Sequence, residues 1–444
     1  MRRLIFTVLL ATINMLTAAE PRKIFDYPYQ QHDFPNGLRL FTVPTDYPNI
    51  VALYIVVNVG SRNEVEAGKS GFAHFFEHVM FRGTKKNPPQ KWEATMKAAG
   101  AATNAFTSDD LTAYHATISK QGLASILELE ADRFQNLDYS EALFRTEALA
   151  VNGEYNKNSA APTSQLTEKL RETAFDAHTY KHTTMGFLAD IKAMPDQYAY
   201  SRQFFDRFYR PEYTSILVVG DIKPDEVKAL VEKHWGGWQR GKYVAAIPAE
   251  PPQQGERKAQ VDWPVATLPW LTVAYKVPAY SDSDKETAAL DLISALAFGP
   301  SSPTYQRLVV QEQKVDVLGG GASQRVDPYL FTVFSRVKAE KDVDGIRESI
   351  VSTLNGFKDT LVEAKKLDAV KSNLRYRFAL SMDNSEAIAS ALARAVSLRR
   401  SPETLNRIYA MYEQITPEDL RNVARKYFVE NGRTVVTLSG PKTK

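Results

Sequence analysis

His74, Glu77 and His78 fall within one five-residue stretch, His74-Phe75-Phe76-Glu77-His78. On a helix, positions i and i+4 share a face, so the two imidazoles would point at one spot. The Glu77 carboxylate, three residues after His74, would project beside that spot. Two imidazoles bind a zinc ion well, and a nearby carboxylate that does not ligate can take a proton from water at the ion. The order H-x-x-E-H reverses the commoner H-E-x-x-H arrangement of zinc-binding helices. Gly71 and Phe72 precede the motif, and Phe75, Phe76, Val79, Met80 and Phe81 surround it, which predicts a buried helix. A single histidine there would read as a core residue with its hydrogen bonds satisfied. Two histidines and a glutamate in one apolar turn are costly to bury without a cation.

A tetrahedral zinc site that keeps one position for water needs a third protein ligand. The candidates lie in a helix predicted around Glu141 to Tyr155, which carries Glu141, Glu147 and Glu154. Glu147 and Glu154 are seven residues apart and share a helix face. Spacing does not choose between them, and a single glutamate is usually a solvated surface group.

The elements that must position these groups read as a mixture of strands and helices. Gly37–Val43, Ile50–Val59, Ala102–Thr107, Leu111–Ile118 and Thr214–Val219 read as strands. Helices are predicted at 71–82, 89–99, 121–136, 141–157 and 196–209. Residues 241–262, with Pro248, Pro251, Pro252, Gln253, Gln254 and Gly255, have the composition of a linker. Beyond it the chain repeats faintly. Arg202–Tyr209 leading to Ile216–Val219 matches Arg421–Phe428 leading to Val435–Leu438 at a shift of 219 residues. Nearly the same shift sets Asp291, Ser294 and Ala295 against His74, Glu77 and His78, so the second copy carries no metal site.

Length, 444 residues, suits two or three domains. Charged residues make up 24% and hydrophobic residues 44%, as in ordinary globular chains. A net charge of +3 argues for neither a nucleic-acid partner nor a membrane surface. With no cysteine, disulfides, thiolate zinc sites and a cysteine nucleophile are excluded. Met1-Arg2-Arg3, the uncharged run Leu4–Leu16 and Thr17-Ala18-Ala19 have the layout of a secretory signal peptide cut after Ala19. The chain is therefore expected to be exported, to the periplasm in a Gram-negative bacterium, and to have no membrane span afterwards. His178 and His182 are also four apart, but no acid lies between them and the setting reads as a loop that shapes the cleft. Gly319-Gly320-Gly321 lacks the rest of a phosphate loop and reads as a turn between strands. Arg399-Arg400 reads as the charged end of a helix.

Gly60-Ser61-Arg62-Asn63-Glu64, Gly71-Phe72-Ala73, the H-x-x-E-H motif and Phe81-Arg82-Gly83-Thr84 form one block, and Asn104-Ala105-Phe106-Thr107, Thr112 and Tyr114 form a second. Together they resemble the inverzincins of the pitrilysin and mitochondrial processing peptidase type. The resemblance covers nearly all of the mature chain and is strongest over 36–220. It implies an α+β fold of two similar halves, each a mainly antiparallel sheet with helices packed on it. Residues 20–240 would form the zinc-binding peptidase domain, 241–262 the linker and 263–444 the repeat without metal. In that family the third ligand is a glutamate about 76 residues beyond the second histidine, which is the position of Glu154. The resemblance gives Glu147 a supporting role behind the ligands, one Zn2+ per chain, Glu77 as base, and cleavage of unstructured peptides bound as an added strand along Ala102–Thr107.

One departure matters. Self-sufficient members carry an arginine and a tyrosine in the second half that reach the substrate. Here Tyr305-Gln306-Arg307-Leu308 matches the preceding block, but Gln313 and Gly320 fall where the pair would be. This implies a hetero-dimer with a homologous chain that lacks the zinc motif and supplies Arg and Tyr, a homodimer being the other arrangement. The rival reading is a non-catalytic peptide-binding or scaffolding subunit; such subunits usually have a broken zinc motif, whereas this one is intact.

Overall fold

Proline at the first helical position suits a helix start, because its missing N–H would have no intrahelical partner there. Pro89, Pro162, Pro224 and Pro417 each open a helix in this way. The computed structural model describes residues 23–441, so the signal-peptide expectation lies outside the described residues.

The strands are β1 (Gln30–Asp33), β2 (Arg39–Pro44), β3 (Ile50–Val57), β4 (Ala102–Thr107), β5 (Thr112–Ser119), β6 (Thr214–Gly220), β7 (Arg257–Asp262), β8 (Trp270–Val277), β9 (Val315–Ala322), β10 (Tyr329–Val337) and β11 (Arg433–Ser439). The first-half helices are α1 (Phe72–Val79), α2 (Pro89–Ala98), α3 (Leu123–Asn136), α4 (Glu141–Ser159), α5 (Pro162–Ala174), α6 (Leu188–Ala193), α7 (Tyr198–Phe208) and α8 (Pro224–Trp235). The second half adds α9 (Glu286–Phe298), α10 (Pro303–Tyr305), α11 (Val343–Asp359), α12 (Ala364–Ser381), α13 (Ser385–Arg399), α14 (Glu403–Gln414) and α15 (Pro417–Tyr427).

The strands build two sheets, ordered β1-β2-β6-β3-β5-β4 and β7-β11-β8-β10-β9. In the first, β2 and β6 are parallel and the remaining neighbours antiparallel. The second repeats that pattern, with β7 and β11 as its parallel pair. The fold is thus α+β in two similar halves, and α7–β6 and α15–β11 stand at the 219-residue shift read from the sequence.

The halves exchange helices. α5 lays Leu166, Leu170 and Ala174 against Ala274, Val436 and Leu438 of the second sheet. α13 lays Ile388, Leu392 and Val396 against Val43, Val56 and Leu217 of the first. Each fully buried aliphatic side chain contributes roughly 1.5–3 kcal/mol, so the exchange ties the two halves strongly.

Three expectations need correction. Of the linker span, 241–256 holds neither helix nor strand, but Arg257–Asp262 forms β7. Its polar residues alternate with Ala259 and Val261, whose small apolar signal was too weak to read as a strand. Gly319, Gly320 and Gly321 lie inside β9, not in a turn. Phe334, Phe298 and Ser294 cover them so closely that an added Cβ would sit 2.7–3.0 Å from those side chains. Arg399 and Arg400 are more than a charged helix end. Arg399 donates to the Tyr280 carbonyl, and Arg400, at φ 50°, donates to the carbonyls of Glu212 and Gly37.

Candidate metal centre

Helix α1 is held from both ends and from below. Its N-cap, Gly71, has φ 93°, and a Cβ there would lie 2.6 Å from Ile191 Cδ1. The first turn is capped from a distance: the Gly71 and Ala73 amides donate to the Glu64 carboxylate at 2.8 and 2.7 Å. Burial pushes the Glu64 pKa up to about 8, against the lowering effect of those amides. Beneath the helix, Phe76 stacks on Phe204 and Phe75 meets Phe144 of α4 edge-on. The Tyr114 hydroxyl donates to the Phe76 carbonyl at 3.0 Å.

With α1 so fixed, His74 and His78 present perpendicular rings 4.8 Å apart. Their Nε2 atoms lie 3.6 and 3.2 Å from Glu154 Oε2 on α4. Zinc bonds near 2.0–2.1 Å in tetrahedral geometry separate ligand atoms by about 3.3 Å, so the three donors fit one ion. His74 is buried, and among the described residues its Nδ1 has no hydrogen-bond partner. Burial, and then the proximity of His78, lower the His74 pKa to about 4, so its imidazole is neutral and ready to ligate at neutral pH. Among the described residues no other trio of His, Asp or Glu side chains meets in this way.

Glu77 accepts the Thr107 hydroxyl at 2.7 Å, and Thr107 is the last residue of the edge strand β4. Burial raises the Glu77 pKa against the opposing effects of Thr107 and His78. Raising a carboxylate from its ordinary range strengthens it as a base.

The remaining expected residues are dispersed. Glu147 is buried two turns before Glu154, and its partner is Arg82, just beyond α1, at 2.8 Å. It therefore clamps α1 to α4 instead of touching a histidine. Glu141 lies in the first turn of α4, paired with Arg145. His178 bonds Asp327 through Nε2 and accepts the Tyr180 amide, while His182 lies apart from it against the Thr183 carbonyl. Gln313 is exposed at φ 50°, Gly320 lies within β9, and Arg307 pairs with Glu312. Glu64 and Thr107 were not assigned roles from sequence, because caps and hydrogen bonds between distant segments leave no periodic signal.

In comparisons with known proteins, residues 41–187 match the family model Insulinase (Peptidase family M16), and 197–374 match Peptidase M16 inactive domain. The Helicobacter pylori protein named zinc protease PqqE is 29% identical over 412 residues, 91% of each chain. A probable mitochondrial-processing peptidase subunit beta of Schizosaccharomyces pombe is 25% identical over 408 residues, covering 88% of this chain and 86% of that one. The crystal structure of a protease from Helicobacter pylori superposes with a TM-score of 0.86 at 28% identity, over 93% of this chain and 99% of that one. Among the described residues no helix is long and apolar enough to cross a membrane.

Proposed function

We propose that this chain, which belongs to peptidase family M16, is a zinc-dependent endopeptidase that hydrolyses unstructured peptides or small unfolded proteins. The observation that carries the reading is the meeting of His74, His78 and Glu154 donor atoms at zinc spacing, with Glu77 alongside. When bound, zinc supplies Lewis acidity, which polarises a carbonyl and acidifies water. Glu77 takes the proton from the attacking water and delivers it to the leaving amine nitrogen. The edge strand β4 receives the peptide backbone, giving affinity that depends little on side chains. Glu147 supports the ligands by holding α4 to Arg82.

The machinery lies in 20–240, and 263–444, where the inactive-domain match falls for the most part, acts as its metal-free repeat. We place the mature protein outside the cytoplasm, in the periplasm for a Gram-negative source, on the layout of its first residues. A homologous partner supplying Arg and Tyr completes the site. Support comes from Gln313 and Gly320 at the places of that pair, and from a relative named as a subunit.

Glu77→Gln tests the base. The variant is expected to keep zinc and lose peptide cleavage, because an amide accepts no proton at that step. Metal analysis with a quenched-peptide assay reads both. Substantial turnover by the zinc-loaded variant refutes the role, and a wild-type chain that cleaves nothing with any homologous partner favours a scaffolding subunit.

A further inference from the structure

The β4–β5 turn and the β9–β10 turn stand at equivalent places in the two repeats, and they meet in an ionic cluster in which Asp109, Asp110 and Arg171 are buried and Arg62, Arg325 and Asp327 half-buried. Asp109, 1% exposed, accepts from Arg171 of α5 at 2.6 and 3.1 Å, from Ser61 at 3.1 Å, and from Arg325 Nε of the β9–β10 turn at 2.8 Å. Beside it, Asp110 accepts the Tyr180 hydroxyl at 2.6 Å and the Val326 amide at 3.1 Å. Asp327 accepts from Arg62 at 2.5 Å, so three carboxylates face three guanidinium groups.

We propose that Arg325, from the repeat without a metal site, is a positioning residue for Glu77: through Asp109 it fixes the β4–β5 turn, and with it the Thr107 hydroxyl that holds the Glu77 carboxylate. The inference rests on the peptidase reading above. Thr107 lies two residues before Asp109, and among the described residues β4 is paired on one side only, with β5. The position of the strand end beside Glu77 therefore depends on the turn. That turn is pressed against Gly60, where a Cβ would collide with the Ser108 and Asp109 carbonyl oxygens, and the Arg62 amide donates to the Asp109 carbonyl at 2.8 Å. Cohesion of the halves comes from the apolar exchange of α5 and α13. Buried ion pairs add little to that, but the charge-assisted hydrogen bond from Arg325 Nε sets where Asp109 sits relative to the second repeat. Without Arg325, Asp109 still has Arg171, so the fold keeps its main partner for that charge, while of the ties from the second repeat to this turn only the Val326 amide on Asp110 remains.

The test is a cycle of Arg325→Ala, Thr107→Val and the double variant, in the zinc-loaded protein combined with the homologous partner that gives the wild type turnover, with an unstructured fluorogenic peptide. Arg325→Ala is expected to keep its zinc and lose kcat about tenfold with KM within about twofold, because misplacing a catalytic group costs rate more than binding. Thr107→Val is expected to lose as much, and the double variant no more than Thr107→Val alone, since both act through one contact. Losses that multiply, or a raised KM at unchanged kcat, overturn the proposal. Should Arg325→Ala not fold, Arg325→Lys, which keeps charge but not the guanidinium fork, takes its place in the cycle. A wild type that shows no turnover with any homologous partner overturns the peptidase reading and not the latch. The latch is then read by hydrogen exchange over 103–111, where Arg325→Ala must exchange faster; unchanged protection overturns it.

Discussion

Arg82→Ala should destabilise this protein more than Glu147→Gln, although both break the same ion pair. The pair is lopsided: the Glu147 side chain is 4% exposed and the Arg82 side chain 44%. Removing Arg82 strands a buried carboxylate, whereas removing the charge on Glu147 leaves a guanidinium that can turn to water. A fully buried pair broken on one side costs about 3–5 kcal/mol. Arg82 is half exposed, so this pair is not fully desolvated and the penalty is smaller: the expected loss for Arg82→Ala is about 2–4 kcal/mol, and for Glu147→Gln, which keeps an acceptor, about 1–2 kcal/mol. Urea unfolding of the metal-free variants at pH 7 measures both losses. A deficit under about 1 kcal/mol at pH 7, or a larger cost for Glu147→Gln, would refute the reasoning.

The ligand assignment separates the two glutamates by metal content: Glu154→Gln should strip zinc, while Glu147→Gln should weaken it only about 10–100-fold, as expected for a group that positions ligands. The reverse ranking in a competitive chelator titration would exchange their roles. Acid should weaken the metal-free protein through His74. Its folded pKa of about 4 lies below the unfolded value, so the folded state binds fewer protons and stability falls as pH drops from about 6.5 to about 4. The total is about 3 kcal/mol, and His74→Gln should flatten that slope in unfolding measured at several pH values. An unchanged slope would show that His74 does not titrate as its burial implies.

Local pattern carried much of this protein. The five residues from His74 to His78 give a candidate ligand pair and a candidate base by helical spacing alone, because i and i+4 share a face whatever the helix packs against. Strands such as Ile50–Val57 were legible from continuous apolar runs, and the 219-residue repeat from one amphipathic helix and the strand after it. The resemblance of the flanking blocks singled out Glu154, which spacing had left level with Glu147. Their roles became distinct only when α4 docked on α1, turning one carboxylate to the histidines and the other to Arg82. The Glu64 cap, the Thr107 hydroxyl on Glu77 and the meeting of Asp109 with Arg325 were likewise decided by tertiary structure. Such contacts join residues from 7 to 216 positions apart, and no periodicity encodes them. The glycines of β9 show the same limit: three in a row favour a turn locally, but Phe298, Phe334 and Ser294 lie so close above the strand that side chains there would collide with them.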